Sequence, residues 1–170
     1  MKPQLLPGVT DIVRNVREVT RDLLAPALAG DSERSAAATI DHMLRYAERL
    51  IEHQGQALLD EEARLKALLP SVADWLAARP ESAPLAGAIR ATLAHARDPA
   101  VYPTLGMMAD DVALLRQHVC DALLALQQLG DARGAEGEAV HAGLRAYIRW
   151  QLEEEGRLVE PAFLGHGPRR

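Results

Sequence analysis

Apolar residues recur along this chain at alternating steps of three and four, the spacing of one face of an α-helix. The most regular run lies between Thr104 and Gly130. It keeps a heptad pattern for more than three repeats, with apolar residues at Leu105, Met108, Val112, Leu115, Val119, Ala122, Leu126 and Leu129. Thr104 can cap the start of this helix and Gly130 can end it. The pattern predicts a long helix whose seam lies in the core or, alternatively, pairs with its copy across a dimer axis.

Two earlier segments show the same spacing less strictly. A first helix is predicted to begin at Thr10, to be kinked or ended near Leu24 by Pro26, and to close at Gly30. Its inward row is expected to be Ile12, Val16, Val19, Leu23 and Ala27. A second helix follows the caps at 31–32, with an inward row of Ile40, Met43, Ala47, Leu50, Gln54 and Leu58.

The middle of the chain is expected to hold shorter helices. Gly55 and the run 60–62 indicate a fresh start, Pro70 an end, and further short helices reach about Ala96. A final helix should bury Val140, Leu144, Tyr147, Ile148 and Gln151 and end before Gly156. The pattern therefore predicts an all-α, antiparallel up-and-down bundle of four long helices, with shorter helices between the second and the heptad helix.

The amino-acid composition is uniform along the chain, which predicts one domain. Residues 1–9 hold two prolines and a glycine and are expected to be disordered or extended. Residues 10–160 should form the single helical-bundle domain, and residues 161–170 a flexible tail.

The composition is typical of a helical protein, and the charge reduces the classes of partner that it could bind. Hydrophobic residues make up 48% of the chain but aromatic residues only 4%, whereas β-rich domains rely on aromatic and β-branched residues. The net charge of -5 argues against nucleic acid or an anionic membrane as a partner. Cys120 is the single cysteine, and no apolar run has the length of a signal peptide or membrane span. We therefore expect a cytoplasmic protein that binds no membrane.

Four side chains on the second helix stand out as a possible ligand-binding site. They are spaced by four, three and four residues, so they share a face: His42, Tyr46, Arg49 and His53. This stripe could be covered by the short middle helices, could form a subunit interface, or could line a groove for a small anionic ligand. In the last case Arg49 would supply the charged contact and Tyr46 a stacking surface.

The histidines also raise the question of a metal. Carboxylate-bridged diiron bundles pair a Glu and a His three residues apart on two helices, and Glu138 with His141 is the one such pair here. His118, a third candidate ligand, lies roughly 80° from the heptad seam and is expected on its flank. Because a second pair is missing, we predict no metal and no other cofactor.

The sequence holds little that indicates catalysis. Cys120 lies about 100° from the heptad seam, and His118 two residues away points in a different direction. The chain has no Gly-x-Ser-x-Gly, no Cys-x-x-Cys and no glycine-rich phosphate loop. We therefore interpret the protein as non-enzymatic.

The first 50 residues resemble a known set of proteins. The resemblance lies in Val16-Arg17-Glu18-Val19, in the run Leu23-Leu24-Ala25-Pro26-Ala27-Leu28-Ala29-Gly30, in Ala36-Ala37 and in Glu48-Arg49-Leu50. These segments resemble small bacterial all-α proteins of unknown function encoded beside acyl-CoA dehydrogenases and aminoglycoside-phosphotransferase-like kinases. The resemblance implies a metabolic setting and no catalytic residue.

Three functions are consistent with these observations. The leading hypothesis is a helical accessory protein that acts as a homodimer or with another protein partner and is linked to acyl-CoA metabolism. In the homodimer, outward-facing Leu114 and Leu124 on the heptad helix would be covered. The alternatives are a bundle that binds an anionic ligand on the His42 stripe and a ferritin-like, metal-dependent oxidoreductase using Glu138 and His141.

Overall fold

All regular structure in residues 7–98 and 100–163, which a computed structural model of the chain describes, is helical. The α-helices of this part are α1 (Val9–Val19), α2 (Asp31–Ala77), α3 (Ala83–Ala94), α4 (Leu105–Leu129) and α5 (Gly134–Phe163). Short helical turns at Thr20–Leu24, Ala25–Ala27, Pro80–Ser82 and Gly130–Arg133 connect or extend them. The predicted all-α class is confirmed. None of the helices described is long and apolar enough to cross a membrane.

The chain folds as two compact units, and α2 and α5 each contribute to both. Unit 1 comprises residues 1–55 and 154–170, and unit 2 comprises Gln56–Glu153. Residues 164–170 of the predicted tail 161–170, like the first six residues, lie outside the part that the structure describes, whereas residues 161–163 belong to α5.

The predicted break in the second helix is wrong. Helix α2 runs without interruption for 47 residues and contains Pro70. The reason is that a buried row crosses the proline in helical register, with Leu65, Leu69, Val72 and Leu76 all fully buried in unit 2. Burying a large aliphatic side chain contributes about 1.5–3 kcal/mol, so four of them outweigh the roughly 3 kcal/mol cost of an internal proline. Between α2 and α4, the described residues contain one separate α-helix, α3, and it is short.

The first helix changes geometry at the predicted place. Thr20–Leu24 forms a π-helical turn that ends two residues before Pro26. Proline has no N–H to donate and its ring displaces the carbonyl four residues earlier, so a wider turn accommodates it. After Ala27 the backbone at Leu28 becomes extended and the helix ends.

The inward row predicted for the first helix is wrong. Ile12, Val16, Val19 and Leu23 are between 47% and 66% exposed, and α1 contains no buried residue. Helix α1 instead contacts α2 through ion pairs. Arg17 pairs with Glu48 and approaches Asp41 at 3.8 Å, and Arg14 lies 4.0 Å from Glu52. On α2, Ile40 and Met43 from the predicted inward row are also about half exposed.

The heptad seam is confirmed as core. Met108, Val112, Leu115, Val119, Ala122 and Leu126 are all buried, while Leu105 at the start is exposed. The Thr104 side chain accepts a hydrogen bond from the Met107 amide at 3.2 Å, as a capping residue does. Gly130 ends the helix at a φ of 50°, a left-handed conformation that favours glycine. Helix α5 continues past Gly156 and includes Pro161.

Candidate functional site

Three polar side chains from three helices meet inside unit 2. Glu61 of α2 is 6% exposed. Its carboxylate accepts two parallel hydrogen bonds from Arg116 of α4, at 2.6 and 2.7 Å. Tyr147 of α5 donates a third from its hydroxyl, at 2.6 Å. The bidentate geometry is the strong form of a carboxylate–guanidinium pair.

The surroundings keep Tyr147 and Arg116 each in one protonation state. Burial, together with the hydrogen bond to Glu61, raises the pKa of Tyr147 well above its ordinary value. The hydrogen bond to Glu61 raises the pKa of Arg116, against the opposing effect of burial. Tyr147 therefore stays a hydrogen-bond donor and Arg116 a cation at any physiological pH. The cluster can tie three helices together but is not suited to exchange protons.

A second ion-pair cluster borders a small pocket on unit 2. Glu62, also buried, lies 2.7 Å from the Lys66 ammonium and 2.6 Å from the Arg97 guanidinium. Arg97 Nε also donates to Asp111 at 2.5 Å, and this bond is the main reason that the pKa of Arg97 is raised. The pocket has a volume of about 50 Å³, enough for a few water molecules. Two cations and two anions line it, so their charges balance.

His118 is buried rather than placed on a flank. It is 6% exposed, because Thr92 of α3 covers it with a hydroxyl 2.8 Å from Nε2. Its Nδ1 atom is buried without a hydrogen-bond partner. Burial lowers the pKa of His118, partly offset by Asp121. The imidazole is therefore neutral at pH 7 and acts as part of the α3–α4 contact.

The three candidate metal ligands do not form a ligand set. Glu138 is exposed and pairs with Arg133 at 2.5 Å. His141 is half-buried, and His118 is engaged with Thr92. Within residues 7–98 and 100–163, no three His, Cys, Asp or Glu side chains converge as a metal site would require.

The stripe on α2 lies in unit 1, where its arginine is engaged by α5. Arg49 donates to the carbonyl of Leu158 at 3.0 Å and to the carbonyl of Arg157 at 2.7 Å. The hydrogen bond from Arg49 to the Arg157 carbonyl has a structural cause. Pro161 lies four residues after Arg157 and has no N–H, so the helix cannot satisfy that carbonyl itself. His42 and Tyr46 are half-buried and His53 is exposed, which favours helix contact over a ligand groove.

Replacing Arg49 by methionine should cost about 1.5–3 kcal/mol of unfolding free energy, the usual range for hydrogen bonds from a charged donor. In a Pro161→Ala background the loss should fall to less than half, because residue 161 then donates to Arg157 itself. The measurement is a double-mutant cycle by urea unfolding. Arg34→Met is the control, since exposed Arg34 also donates to a backbone carbonyl, that of Ala29. Equal losses in both backgrounds would contradict this explanation.

A second candidate site is an apolar surface on unit 1. Seven large apolar side chains on α1, on the π-helical turn that follows it and on the first half of α2 are each 47–66% exposed: Val9, Ile12, Val16, Val19, Leu23, Ile40 and Met43. We call this set the unit 1 apolar face. Large apolar patches on the surface of a monomeric protein usually mark a binding site.

Comparison with known proteins adds no relative. No protein-family model, curated protein or solved structure matches this chain. The candidates for function are therefore the unit 1 apolar face and the polar clusters of unit 2.

The buried glutamates are the functional candidates that the sequence reasoning missed. Glu61 lies four residues before Leu65 and three after Leu58, in phase with the apolar row of α2. The sequence signal that could have identified Glu61 is a charged residue on the same helix face as an apolar row. The run of three acidic residues at 60–62 by itself predicts a helix start instead.

Proposed function

We propose that this chain is a helical accessory protein that acts by binding another protein chain through the unit 1 apolar face. The supporting observation is that α1 carries a row of aliphatic residues in helical register while burying none of its residues. Burial of apolar area is the main favourable contribution to protein association. A helix whose polar side contacts its own chain and whose apolar side is open is suited to this role.

The charged side of α1 supports the same reading. Arg17 is held against α2 by two carboxylates, Glu48 and Asp41, and all three side chains are at least four-fifths buried. These ion pairs fix the rotation of α1 about its axis, so the aliphatic row is held away from α2. We propose that this orientation presents the row to a partner.

The finer features inferred from the sequence belong to the same proposal. The link to acyl-CoA metabolism is supported by the resemblance of the first 50 residues. A cytoplasmic location is supported by the exposed thiol of Cys120, which a reducing compartment keeps free of intermolecular disulfides. An antiparallel up-and-down order of helices within unit 2 is supported by the short connections around Pro80–Ser82 and Gly130–Arg133.

A photo-crosslinking amino acid at position 16 tests this function inside cells. We expect a covalent adduct with a second protein chain, identified by mass spectrometry, and no adduct from the same group at exposed Ala88 of unit 2. An acyl-CoA enzyme or kinase in the adduct would support the metabolic link. Absence of any protein adduct at position 16, or equal labelling at both positions, would contradict the proposal.

A further inference from the structure

We propose that residues 9–27, which comprise α1 and the two helical turns after it, form an arm that is held on α2 by charge and can be released about a hinge at residues 28–30. The inference concerns how α1 is attached rather than what binds to it, so it goes beyond the proposed function. Three observations support it: the polar character of the contact with α2, the incomplete hydrogen bonding of the central ion pair and the non-helical connection that follows.

The face of the arm that carries Arg17 is mostly polar. Partly or fully buried residues follow this face at steps of three, four and three: Thr10, Val13, Arg17 and Thr20. Val13 is the one apolar member, and α1 contains no fully buried residue. Thr20, in the π-helical turn, is buried, but its hydroxyl donates to the Val16 carbonyl of the same arm at 2.8 Å. Burial of apolar area therefore contributes little to holding the arm on α2.

Three charged side chains form the centre of the contact, and we call them the latch: Arg17, Asp41 and Glu48. The Arg17 guanidinium pairs with Glu48 and lies 3.8 Å from Asp41, and the three side chains are 12–20% exposed. One atom of each is buried without a hydrogen-bond partner, namely Arg17 Nε, Asp41 Oδ1 and Glu48 Oε1. These atoms have lost water and gained no hydrogen bond, so their burial opposes the attraction between the charges. Release of the arm returns water to all three.

A second ion pair between α1 and α2 adds little to the attachment. Arg14 lies 4.0 Å from Glu52, and both side chains are about half exposed. Exposed pairs of this kind are weak because water solvates the separated charges almost as well. Arg14 also lies 3.5 Å from Asp11 of its own helix, so it keeps a partner when the arm is released. The attachment of the arm therefore depends chiefly on the latch.

The connection between the arm and α2 is suited to act as a hinge. The backbone at Leu28 is extended, and residues 28–30 belong to no helix before α2 begins at Asp31. A few residues outside regular structure are sufficient to absorb the change in φ and ψ when a neighbouring element moves as a body. Rotation at Leu28 or Ala29 leaves the backbone hydrogen bonds of α2 intact.

Release of the arm changes the setting of the apolar row on α1. While the arm is held, the row lies on the side of α1 away from Arg17 and its position is fixed by α2. After release the row can turn toward a partner without movement of α2. Ionic strength, or a charged partner segment that pairs with Arg17, shifts the balance between the two states.

Amide hydrogen exchange followed by NMR at about 0.05 M and about 1 M NaCl tests the arm. An isolated helix of 11 residues is marginal in water, so a released α1 loses its amide protection. We expect residues 13–24 to share one protection factor, roughly 100-fold or more below that of core residues such as Leu69 and Val119. Exchange of the arm should be about three-fold or more faster at the higher salt concentration, with the unit 2 core unaffected.

Two results of this measurement would overturn the inference. One is an arm that is as strongly protected as the unit 2 core and insensitive to NaCl. The other is protection that rises steadily from Val9 toward Leu24 at both salt concentrations, because that gradient shows a helix fraying from its end rather than an arm moving as a body.

Two single variants test whether the latch holds the arm. Arg17→Met leaves Glu48 buried without its cation and should raise the exchange rates of the arm roughly 10-fold or more, the factor for one charge-assisted hydrogen bond. Arg14→Met, three residues earlier on the same helix, is the matched control and should change these rates less than about three-fold. Unaltered exchange in unit 2 shows that each variant is folded. Equal effects of the two variants would contradict a latch at Arg17.

A double variant tests whether the latch is weakened by the burial of its charges. Arg17→Leu with Glu48→Leu replaces the ion pair by apolar contact, while Asp41 remains paired with Arg45 of its own helix. We expect its arm to exchange no faster than that of the wild type and to lose most of its dependence on NaCl. Exchange as fast as in Arg17→Met would overturn the inference. The proposed function would survive such a failure, because crosslinking at position 16 measures binding rather than movement of α1.

Discussion

Replacing Arg116 by methionine is expected to cost about 3 kcal/mol of unfolding free energy, one of the largest effects of any single polar substitution here. The variant keeps the hydrocarbon part of the side chain but removes both hydrogen bonds to Glu61. The carboxylate then stays buried with Tyr147 as its hydrogen-bond donor from the cluster. Removing one partner of a buried pair is costly because the remaining charge has lost water and keeps only part of its hydrogen bonding in exchange.

Two controls separate this explanation from a general loss of surface charge. Arg90→Met breaks the exposed pair with Asp74 and should change stability by less than about 1 kcal/mol. The double variant Glu61→Leu with Arg116→Met removes both charges and should recover part of the loss. Urea unfolding followed by circular dichroism measures all three. An Arg116→Met loss no larger than that of Arg90→Met would contradict a structural role for the cluster.

Truncating Leu65 to alanine is expected to cost about 2–5 kcal/mol, the range for large-to-small changes at fully buried positions. Leu65 is fully buried in unit 2, within the core formed by α2, α3, α4 and α5. The loss combines the transfer of three carbon atoms out of the core with the cavity that remains. Thermal unfolding should show a midpoint lower by about 2–4 °C per kcal/mol.

Leu59→Ala is the matched control for this prediction. Leu59 lies six residues earlier on the same helix but is 44% exposed, so its truncation should cost less than about 1 kcal/mol. Similar losses at both positions would mean that Leu65 is not part of the buried row of α2.

The heptad helix shows which features can be predicted from periodicity alone. Its seam, its capping threonine and its terminal glycine were all identified correctly, since each depends on residues close together in sequence. The flank of the same helix was misjudged. His118 is buried because Thr92, 26 residues away in the chain, covers it, and no local pattern contains that information.

The same distinction explains the candidate sites. Arg49 was identified as part of a shared face, but its partners are carbonyls more than a hundred residues later. Glu61 was overlooked because a buried carboxylate is tolerable only where partners from other helices reach it. Their arrival depends on how α4 and α5 pack in unit 2.

Periodicity and composition by themselves determined that this chain is helical, where the heptad helix begins and ends, and which residues share a face. These properties follow from backbone geometry over a few turns. The tertiary structure alone decided which faces are covered. The apolar row on α1 is exposed, the apolar row of α2 that crosses Pro70 is buried, and two glutamates lie in the interior. Burial is set by what packs against a face, and a face of given spacing is equally suited to a core or to a partner.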